Sequence, residues 1–412
     1  MPMVAVSPRS RATLAALAAL LACPPAARAG WSAGHALRPA GGRTMQQLAI
    51  GTDGRTRALW SDAYEAATLW EAQAGPAAVH FGAARRLVTL ARGDLFPVAR
   101  TTSAGGAAVV FERRGGANTA RVVARVQRPG GSFSAPVALS SLGQTARAPV
   151  LAMDAAGDAL AAWRLKSGAV EIARRPHGTL RFGRRDRVRH GADARADFGA
   201  IAAAVGPGGV AALAFAARGG LYLATGSVRA GLGAPRRVGP AALPAAIGLA
   251  TGPGGPLVAW TDVATCRVFP AGIALPATTA SGIEPAPAVA IAAHGERVVA
   301  CPGDGPLEVV TAPAGQPFAS APEPVGTQAA SEPPSLATDP GGDVALAWLE
   351  QAPAGSSVAV ALRPAGAGAF GAPQTLAPPR PQALGPLVAL GIGGRAVTAW
   401  TDGRTRAAFN SG

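Results

Sequence analysis

The chain has 412 residues, of which 49% are hydrophobic, so it can bury a large core. Its 54 glycines and 37 prolines, against 2 tyrosines and 5 histidines, favour many short strands between turns and exclude a mainly helical protein. The formal net charge of +15 comes almost entirely from arginine, which either GC-rich bacterial codon usage or attraction to a polyanion would explain.

The N-terminal segment has the features of an export signal. Two arginines precede an apolar run from Ala12 to Cys23, and Ala27-Arg28-Ala29 provides the small residues that signal peptidase prefers before Gly30. We therefore predict a signal peptide over residues 1–29 and a secreted or extracytoplasmic protein.

A lipid-anchored form is the alternative to a freely secreted one. The sequence Leu20-Leu21-Ala22-Cys23 loosely matches a lipobox, in which Cys23 would carry the lipid. The apolar run is too short to span a bilayer, and no later segment is long and apolar enough to do so. We expect no transmembrane segment in the mature domain, residues 30–412.

The mature chain repeats a unit of four short segments. In the clearest copy these are Pro149–Gly157, Ala159–Trp163, Val170–Pro176 and a segment from Phe182 to Val188, each of strand length. The unit recurs roughly every 40 to 50 residues, which is the period of propeller blades. The second segment carries an aromatic residue or a substitute at Trp60, Phe111, Trp163, Phe215, Trp260, Cys301, Trp348 and Trp400. The fourth segment recurs at Phe81, Phe133, Phe182, Leu232, Phe318 and Phe370, with a weaker copy near Ile273.

The two ends of the chain complete one blade. The last repeat has strands predicted over Leu387–Ile392, Arg395–Trp400 and about Thr405–Asn410, and then the chain stops. The missing fourth strand is Trp31–Leu37, which matches Phe133–Leu139 in its apolar ends and small central residues. Pairing the two termini leaves only short outer edges exposed. We therefore predict an all-β, eight-bladed β-propeller of four-stranded blades in a single domain, with seven blades as the alternative.

This unit resembles the repeats of exported bacterial β-propeller proteins of largely unknown function. Their pattern is Pro-x-Val-Ala-x-Asp-x-x-Gly-x-Ala-x-Ala-x-Trp followed by Arg-Pro-x-Gly-x-Phe-x-x-Pro-x-x-Leu. It is matched best over Met153–Val188 and Ala337–Leu376, and least well over Val289–Val325. The resemblance spans the mature chain and implies the propeller fold. It implies no activity, because the shared positions are turn and core positions.

Acidic residues follow the second-strand position by two residues at Asp62, Asp262, Glu350 and Asp402. Glu350, Asp402 and Asp62 belong to neighbouring blades of a closed ring. They fall on the face where the second-to-third loops and the blade-to-blade loops open. This acidic arc would hold a cation or orient a hydroxyl-rich ligand. Alternatively, each carboxylate caps the backbone of its own hairpin turn.

The densest charge feature covers the third and fourth strands of one blade, where arginines are concentrated over Arg174–Arg195. The candidate anion-binding residues are Arg184, Arg185, Arg187 and Arg189. The alternative is protection of an exposed edge strand, since Arg85-Arg86 and Arg236-Arg237 occupy the matching place in other blades. Aromatic residues do not interleave with these arginines, so we expect no nucleic-acid partner.

Two cysteines remain after the predicted cleavage. Cys301 takes a second-strand aromatic position, and Cys266 aligns with the third-strand residues Ile172 and Val360, so both are expected to face the core in adjacent blades. In an oxidising compartment they would form a cross-blade disulfide, provided that their Cα atoms lie close enough. Two separate buried thiols are the alternative.

The sequence contains no recognisable catalytic constellation. Its histidines fall in different repeats, and no G-x-S-x-G, C-x-x-C-H or paired metal motif occurs. We expect neither a metal nor a cofactor. A sialidase-like propeller resembles this fold loosely, but the Asp-box pattern is missing and only Tyr64 and Tyr222 could act as the nucleophile. The adjacent cysteine pair of quinone dehydrogenase propellers is missing too.

These observations favour an exported, non-catalytic binding or surface-interaction propeller. Its expected partner is an anionic glycan or a cell-envelope polymer, and we expect it to be a monomer. A glycan-active hydrolase or lyase is the alternative, motivated by the arginine content and the acidic arc. A purely structural envelope protein is a third alternative.

Overall fold

The computed structural model describes residues 30–410 except 38–43, 103, 116–118, 142–143, 189–199, 218, 241–245, 263–264, 277–284, 304, 320, 329–331 and 382. Within these residues the chain forms eight antiparallel sheets, the blades of a β-propeller. The prediction of eight four-stranded blades is therefore confirmed, and the seven-bladed alternative is wrong. The predicted signal peptide, including Cys23, lies outside the described residues.

The strands of each blade follow one another outward from the central axis. Strand β1 (His35–Ala36) belongs to the last blade. Blades 1 and 2 contain β2 (Thr44–Ile50), β3 (Thr56–Ser61), β4 (Thr68–Ala74) and β5 (Arg85–Thr89), then β6 (Asp94–Thr101), β7 (Ala107–Arg114), β8 (Ala120–Gln127) and β9 (Val137–Ala138). Blades 3 and 4 contain β10 (Ala146–Met153), β11 (Ala159–Leu165), β12 (Val170–Arg175) and β13 (Arg185–Val188), then β14 (Ile201–Val205), β15 (Val210–Ala217), β16 (Gly220–Ser227) and an outer strand in two pieces, β17 (Gly231–Leu232) and β18 (Arg236–Arg237).

The second half of the ring repeats the same order. Blades 5 and 6 contain β19 (Ala246–Gly252), β20 (Gly255–Asp262), β21 (Thr265–Phe269) and β22 (Ile273–Pro276), then β23 (Ala288–Ile291), β24 (Arg297–Cys301), β25 (Leu307–Ala312) and β26 (Glu323–Val325). Blades 7 and 8 contain β27 (Ser335–Thr338), β28 (Val344–Ala352), β29 (Gly355–Arg363) and β30 (Gln374–Arg380), then β31 (Leu384–Leu390), β32 (Ala396–Thr401) and β33 (Thr405–Asn410), to which β1 is added.

The hydrophobic core lies between blades. The largest fully buried rings all come from second strands: Trp60, Trp163, Trp348, Trp400, Phe111 and Phe215. Each packs against the preceding blade, so that Trp163 clusters with Val110 and Val122, and Trp60 with Val397 and Phe409. Burying a large apolar side chain stabilises the fold by roughly 1.5–3 kcal/mol. The repeated aromatic position is therefore the main contact between neighbouring blades.

The N-terminal strand completes blade 8, as predicted. His35 pairs with Ala407 and Ala36 with Arg406. The backbone amide of Ser32 donates to the carbonyl of Phe409 at 2.7 Å. A Cβ on Gly34 would lie 2.7 Å from Cη2 of Trp400, so only glycine fits above this ring. The first described strand and the last three strands therefore belong to one sheet.

The strand order defines two faces of the ring. The loops between second and third strands, and those leading to the next blade, open on one face, which we call the upper face. The loops between first and second strands, and between third and fourth strands, open on the lower face. Among the described residues, no helix is both long enough and apolar enough to cross a membrane.

Candidate functional site

Two aromatic side chains lie side by side and exposed on the upper face. Tyr64, in the loop between β3 and β4, is 48% exposed, and Phe96, at the start of β6, is 53% exposed. Their ring centroids are 6.4 Å apart at an interplanar angle of 49°. Every other described residue among the exposed large hydrophobics is aliphatic. Exposed, adjacent aromatic rings are typical of interaction sites.

The backbone that presents these rings is strained. The amide of Phe96 donates to the carbonyl of Tyr64 at 2.8 Å, and that of Ala66 donates to the carbonyl of Asp94 at 3.0 Å. Phe96 has φ of 48° and Ala66 has φ of 50°, both in the left-handed region that side chains other than glycine avoid. The register of β6 also shifts between Leu95 and Val98. Ala148, at the matching position of blade 3, also has φ of 50°, and the register of β10 also shifts between Arg147 and Val150. The irregularity therefore belongs to the repeat, and it aims outward whichever side chain the blade carries there.

An ion pair supports this loop. Nε and Nη2 of Arg113 donate to the two carboxylate oxygens of Asp94 at 2.7 and 2.9 Å. The hydrogen bond to Asp94 raises the pKa of Arg113 above its ordinary value. The Asp94 side chain is only 1% exposed, whereas that of Arg113 is 39% exposed. Asp94 therefore fixes the guanidinium while leaving part of it open on the upper face.

A buried carboxylate anchors the adjoining part of blade 3. Oε1 of Glu112 accepts the backbone amide of Ala148 at 2.7 Å. Burial raises the pKa of Glu112, and the positive charges of Arg147 and Arg114 act in the opposite direction. Both arginines are exposed, as is Arg92 in the turn before β6. We call this set the upper site; its members are Tyr64, Phe96, Arg92, Arg113, Arg114 and Arg147.

The sequence interpretation missed this site, because it considered Tyr64 only as a catalytic nucleophile. A signal was present in the repeat itself. The first strand of blade 3 contains Ala148-Pro149, and the matching dipeptide of blade 2 is Phe96-Pro97. An aromatic residue where another copy has alanine is not needed for packing. Tyr222, the second candidate nucleophile, packs between blades 3 and 4.

The acidic arc lies on the upper face in blades 7, 8 and 1, which are adjacent in the ring. Oδ1 of Asp62 accepts the backbone amide of Thr68 at 2.7 Å, and Oδ2 accepts Nε1 of Trp70 at 3.2 Å. Both oxygens of Asp402 accept Nε of Arg406, at 3.0 and 2.8 Å. These two carboxylates are engaged within their own hairpins.

The remaining acidic residues of this series are also engaged. Oε1 of Glu350 accepts the amide and the hydroxyl of Thr327, at 2.8 and 2.6 Å. Asp262 accepts the hydroxyl of Thr265 at 2.5 Å and Nε of Arg267 at 2.8 Å. Burial raises the pKa of Asp262, but these bonds outweigh it and lower the pKa below its ordinary value. Only Asp62 caps the backbone of its own hairpin, whereas Asp402 and Asp262 bond to side chains and Glu350 bonds to Thr327 in the loop that leads into its blade.

The candidate anion-binding arginines lie on the outer edge of blade 3. Arg184, Arg185 and Arg187 are exposed, and Arg189 lies outside the described residues. Nε of Arg185 is 3.7 Å from a carboxylate oxygen of Glu171. Strand β13 exposes its first three residues and buries only the fourth. The patch is therefore a charged edge strand on the outside of blade 3.

Cys266 and Cys301 join blades 5 and 6. The sulfur atoms of Cys266 and Cys301 are bonded at 2.03 Å, with their Cα atoms 6.0 Å apart. Both residues are fully buried. Cys301 stands where the other blades carry an aromatic ring, so the covalent bond connects two blades that lack that contact. Among the described residues, no group of three metal-ligating side chains is close enough to hold an ion.

Comparisons with known proteins identify the fold. No family model and no curated protein matches the chain. Among solved structures, the chain is similar to the Dos1 propeller, with 9% identity over 92% of this chain and 95% of that one and a TM-score of 0.56. It is also similar to the BP39L lectin from Burkholderia pseudomallei, with 14% identity over 81% of this chain and 100% of the lectin chain, and a TM-score of 0.52.

A polysaccharide lyase of family PL25, an ulvan lyase, aligns with 12% identity over 92% of this chain and 94% of that one. Its TM-score of 0.48 is too low to support an inference. The similarity to the Dos1 propeller and to the lectin is one of fold alone, and no activity follows from it.

Proposed function

We propose that the mature protein is an exported, non-catalytic binding propeller whose upper site binds an acidic polysaccharide. The exposed Tyr64–Phe96 pair carries this proposal. Neither ring is needed for the core, because each is about half exposed. Such a feature is expected where a ligand is bound.

The chemistry of the upper site suits an acidic sugar chain. Flat aromatic faces pack against the apolar faces of sugar rings, and they do so with little loss of side-chain entropy. Arginine guanidinium groups form paired hydrogen bonds with carboxylates and sulfates. Arg113, already oriented by Asp94, is the best placed of the four arginines. The aromatic rings would therefore select for sugar rings, and the arginines would select for sugars that carry acidic groups.

Other observations support export and carbohydrate binding. The disulfide between Cys266 and Cys301 suits an oxidising compartment, which agrees with the predicted signal peptide over residues 1–29 and with the repeats of exported propellers. The lectin from Burkholderia pseudomallei has the same fold, so carbohydrate binding on such a ring is consistent with the proposal.

The first test measures binding to immobilised acidic polysaccharides. Tyr64→Ala and Phe96→Ala are each expected to weaken binding about tenfold, the usual cost of losing an aromatic anchor. Val79→Ala is the matched control, because Val79 is 50% exposed in a lower-face loop of the same blade. Equal weakening by all three variants, or none by the aromatic variants, would overturn the proposal.

The second test separates the upper site from the outer edge of blade 3. Arg114→Gln with Arg147→Gln should weaken binding and reduce its dependence on salt, because fewer ion contacts form. Arg184→Gln with Arg187→Gln removes the same charge from β13 and should leave binding unchanged. The opposite result would assign the anion site to β13. Release of new sugar ends during incubation would favour a hydrolase or lyase instead.

A further inference from the structure

Two blades place an aspartate in the same arrangement on the lower face. Asp158 in blade 3 and Asp343 in blade 7 each end the turn between first and second strands. Oδ1 of Asp158 accepts the backbone amide of His177 at 2.8 Å, and Oδ1 of Asp343 accepts that of Ala365 at 2.6 Å. Both amides belong to the residue after an Arg-Pro pair. The two carboxylates are therefore held in matching positions.

The following blade also approaches both carboxylates in the same way. A Cβ on Gly209 of blade 4 would lie 3.0 Å from Oδ2 of Asp158, and a Cβ on Gly394 of blade 8 would lie 3.2 Å from Oδ2 of Asp343. Gly209 has φ of 72° and Gly394 has φ of 76°. The second oxygen of each carboxylate thus points into the space between two blades, bordered by a glycine turn.

In blade 3 this space is occupied by an imidazole ring. Nδ1 of His177 lies 2.9 Å from Oδ2 of Asp158, and Nη2 of Arg229 lies 3.1 Å from Nε2 of His177. The consistent assignment has Nδ1 donating to Asp158 and Nε2 accepting from Arg229. Burial raises the pKa of Asp158, but the bonds from His177 outweigh it and lower the pKa below its ordinary value. The carboxylate therefore stays ionised beside its own ring.

In blade 7 the matching residue is Ala365, which has no ring to offer, and a cavity lies beside Asp343. Among the described residues, none forms a hydrogen bond or ion pair with Oδ2 of Asp343. The cavity between blades 7 and 8 has a volume of about 190 Å³. Its wall includes Asp343, Leu362, Arg363, Leu390, Gly394 and Asn410. The substitution of alanine for histidine thus coincides with an open space beside a carboxylate oxygen.

We propose that this cavity binds a small imidazole-like molecule, a single ring that presents an N–H donor to Asp343. His177 shows which chemistry the repeated geometry accepts, namely an N–H at about 2.9 Å from the carboxylate. The volume lies below the ~300–1,000 Å³ of ordinary ligand pockets, so it suits one ring. The apolar walls from Leu362 and Leu390 would pack against the ring faces.

The electrostatics of the cavity favour a donor or a cation over an anion. Arg363 is only 4% exposed, and its charge is paired with Glu296 of blade 6 through Nη2 at 2.5 Å. The Asp343 carboxylate therefore remains the unbalanced charge among the described wall residues. A ring carrying N–H groups, neutral or protonated, compensates it. The site is independent of the upper site, because it opens on the opposite face and between different blades.

Free imidazole is the probe, and its binding to the mature protein is followed by ligand-observed NMR titration. Saturable binding in the millimolar range is expected for so small a ring. Asp343→Asn should weaken binding more than tenfold, because the amide can still accept the Ala365 N–H while losing the charge. Ala365→His should weaken binding more than about tenfold, because the new side chain would repeat the contact of His177 and occupy Oδ2 of Asp343.

The reverse change in blade 3 provides the matched control. His177→Ala should uncover Oδ2 of Asp158 and add a second imidazole site. His177 and Ala365 are both exposed at their backbone turns, so neither change is expected to disturb the fold, and thermal melts check this. No saturable binding by the unaltered protein would overturn the proposal, as would unchanged binding by Ala365→His. If Asp343→Asn fails to fold, Ala365→His alone decides.

Discussion

The boundaries between blades 8 and 1 and between blades 5 and 6 are held together by different means. Between blades 8 and 1, the buried ring of Trp60 clusters with Val397 and Phe409, and no covalent bond crosses the boundary among the described residues. Between blades 5 and 6, Cys301 replaces the ring and forms a disulfide with Cys266. A buried aromatic contact and a covalent bond therefore serve the same purpose at equivalent positions.

Close to the axis the two boundaries are alike. A Cβ on Gly391 would lie 2.7 Å from Cγ2 of Ile50, and a Cβ on Gly252 would lie 2.9 Å from Cγ2 of Ile291. In both cases the end of one inner strand has no room for a side chain, because an isoleucine of the next blade occupies the space. The difference between the boundaries is confined to the middle of the blades, where the aromatic ring or the disulfide lies.

The largest loss of stability is expected when the N-terminal strand that completes blade 8 is removed. Removing residues 30–43 deletes β1 and the contacts of Trp31 and Leu37, which should lower the free energy of unfolding by about 5 kcal/mol. The melting temperature should fall by about 10 °C or more. Leu37→Ala, a smaller change to the same strand, should cost about 2–3 kcal/mol. If the shortened protein melts at the same temperature as the protein that keeps residues 30–43, β1 does not close the ring.

Removal of the disulfide is expected to cause the second largest loss of stability. Replacing Cys266 and Cys301 with alanine should cost about 3–4 kcal/mol in chemical denaturation, the entropy of a loop of this length. The sequence separation of the two cysteines is 35 residues. Reductant should destabilise the unaltered protein by the same amount and leave the double variant unchanged. If reductant has no effect on either protein, packing alone holds blades 5 and 6 together.

A polar contact adds to the boundary between blades 8 and 1. Arg395 donates from Nη1 to the carbonyl of Gly54 at 2.6 Å and from Nη2 to the carbonyl of Ala78 at 2.7 Å. Arg395→Ala should cost about 1–3 kcal/mol, since two hydrogen bonds to a charged group are lost. Arg404→Ala is the control, because Arg404 is exposed in a hairpin of the same blade. Equal effects of the two variants would mean that the contact across the boundary contributes nothing.

The repeat made most of the fold predictable from sequence. The second-strand aromatic positions are core positions, and packing imposes them on every copy, so the strands and the composite blade followed from their spacing. The functional candidates depend on how the copies differ. The repeat shows Phe96 as a departure from alanine, but its exposed contact with Tyr64 depends on a neighbouring loop that the repeat does not describe. The pairing of Asp158 with His177 depends on two turns that the repeat pattern does not show to be in contact.

The smallest effect on stability is expected from substitutions on the outer edge of blade 3. They test whether charged residues on an edge strand contribute less to stability than Arg395 does at a blade boundary. Arg184 and Arg187 are exposed, and isolated exposed charges contribute little to stability. Arg184→Gln with Arg187→Gln should therefore change the free energy of unfolding by less than about 0.5 kcal/mol. The same variant should self-associate more at high concentration in light scattering, because charges on an edge strand oppose pairing with another sheet. A stability loss as large as that of Arg395→Ala would mean that these arginines, like Arg395, hold the ring together.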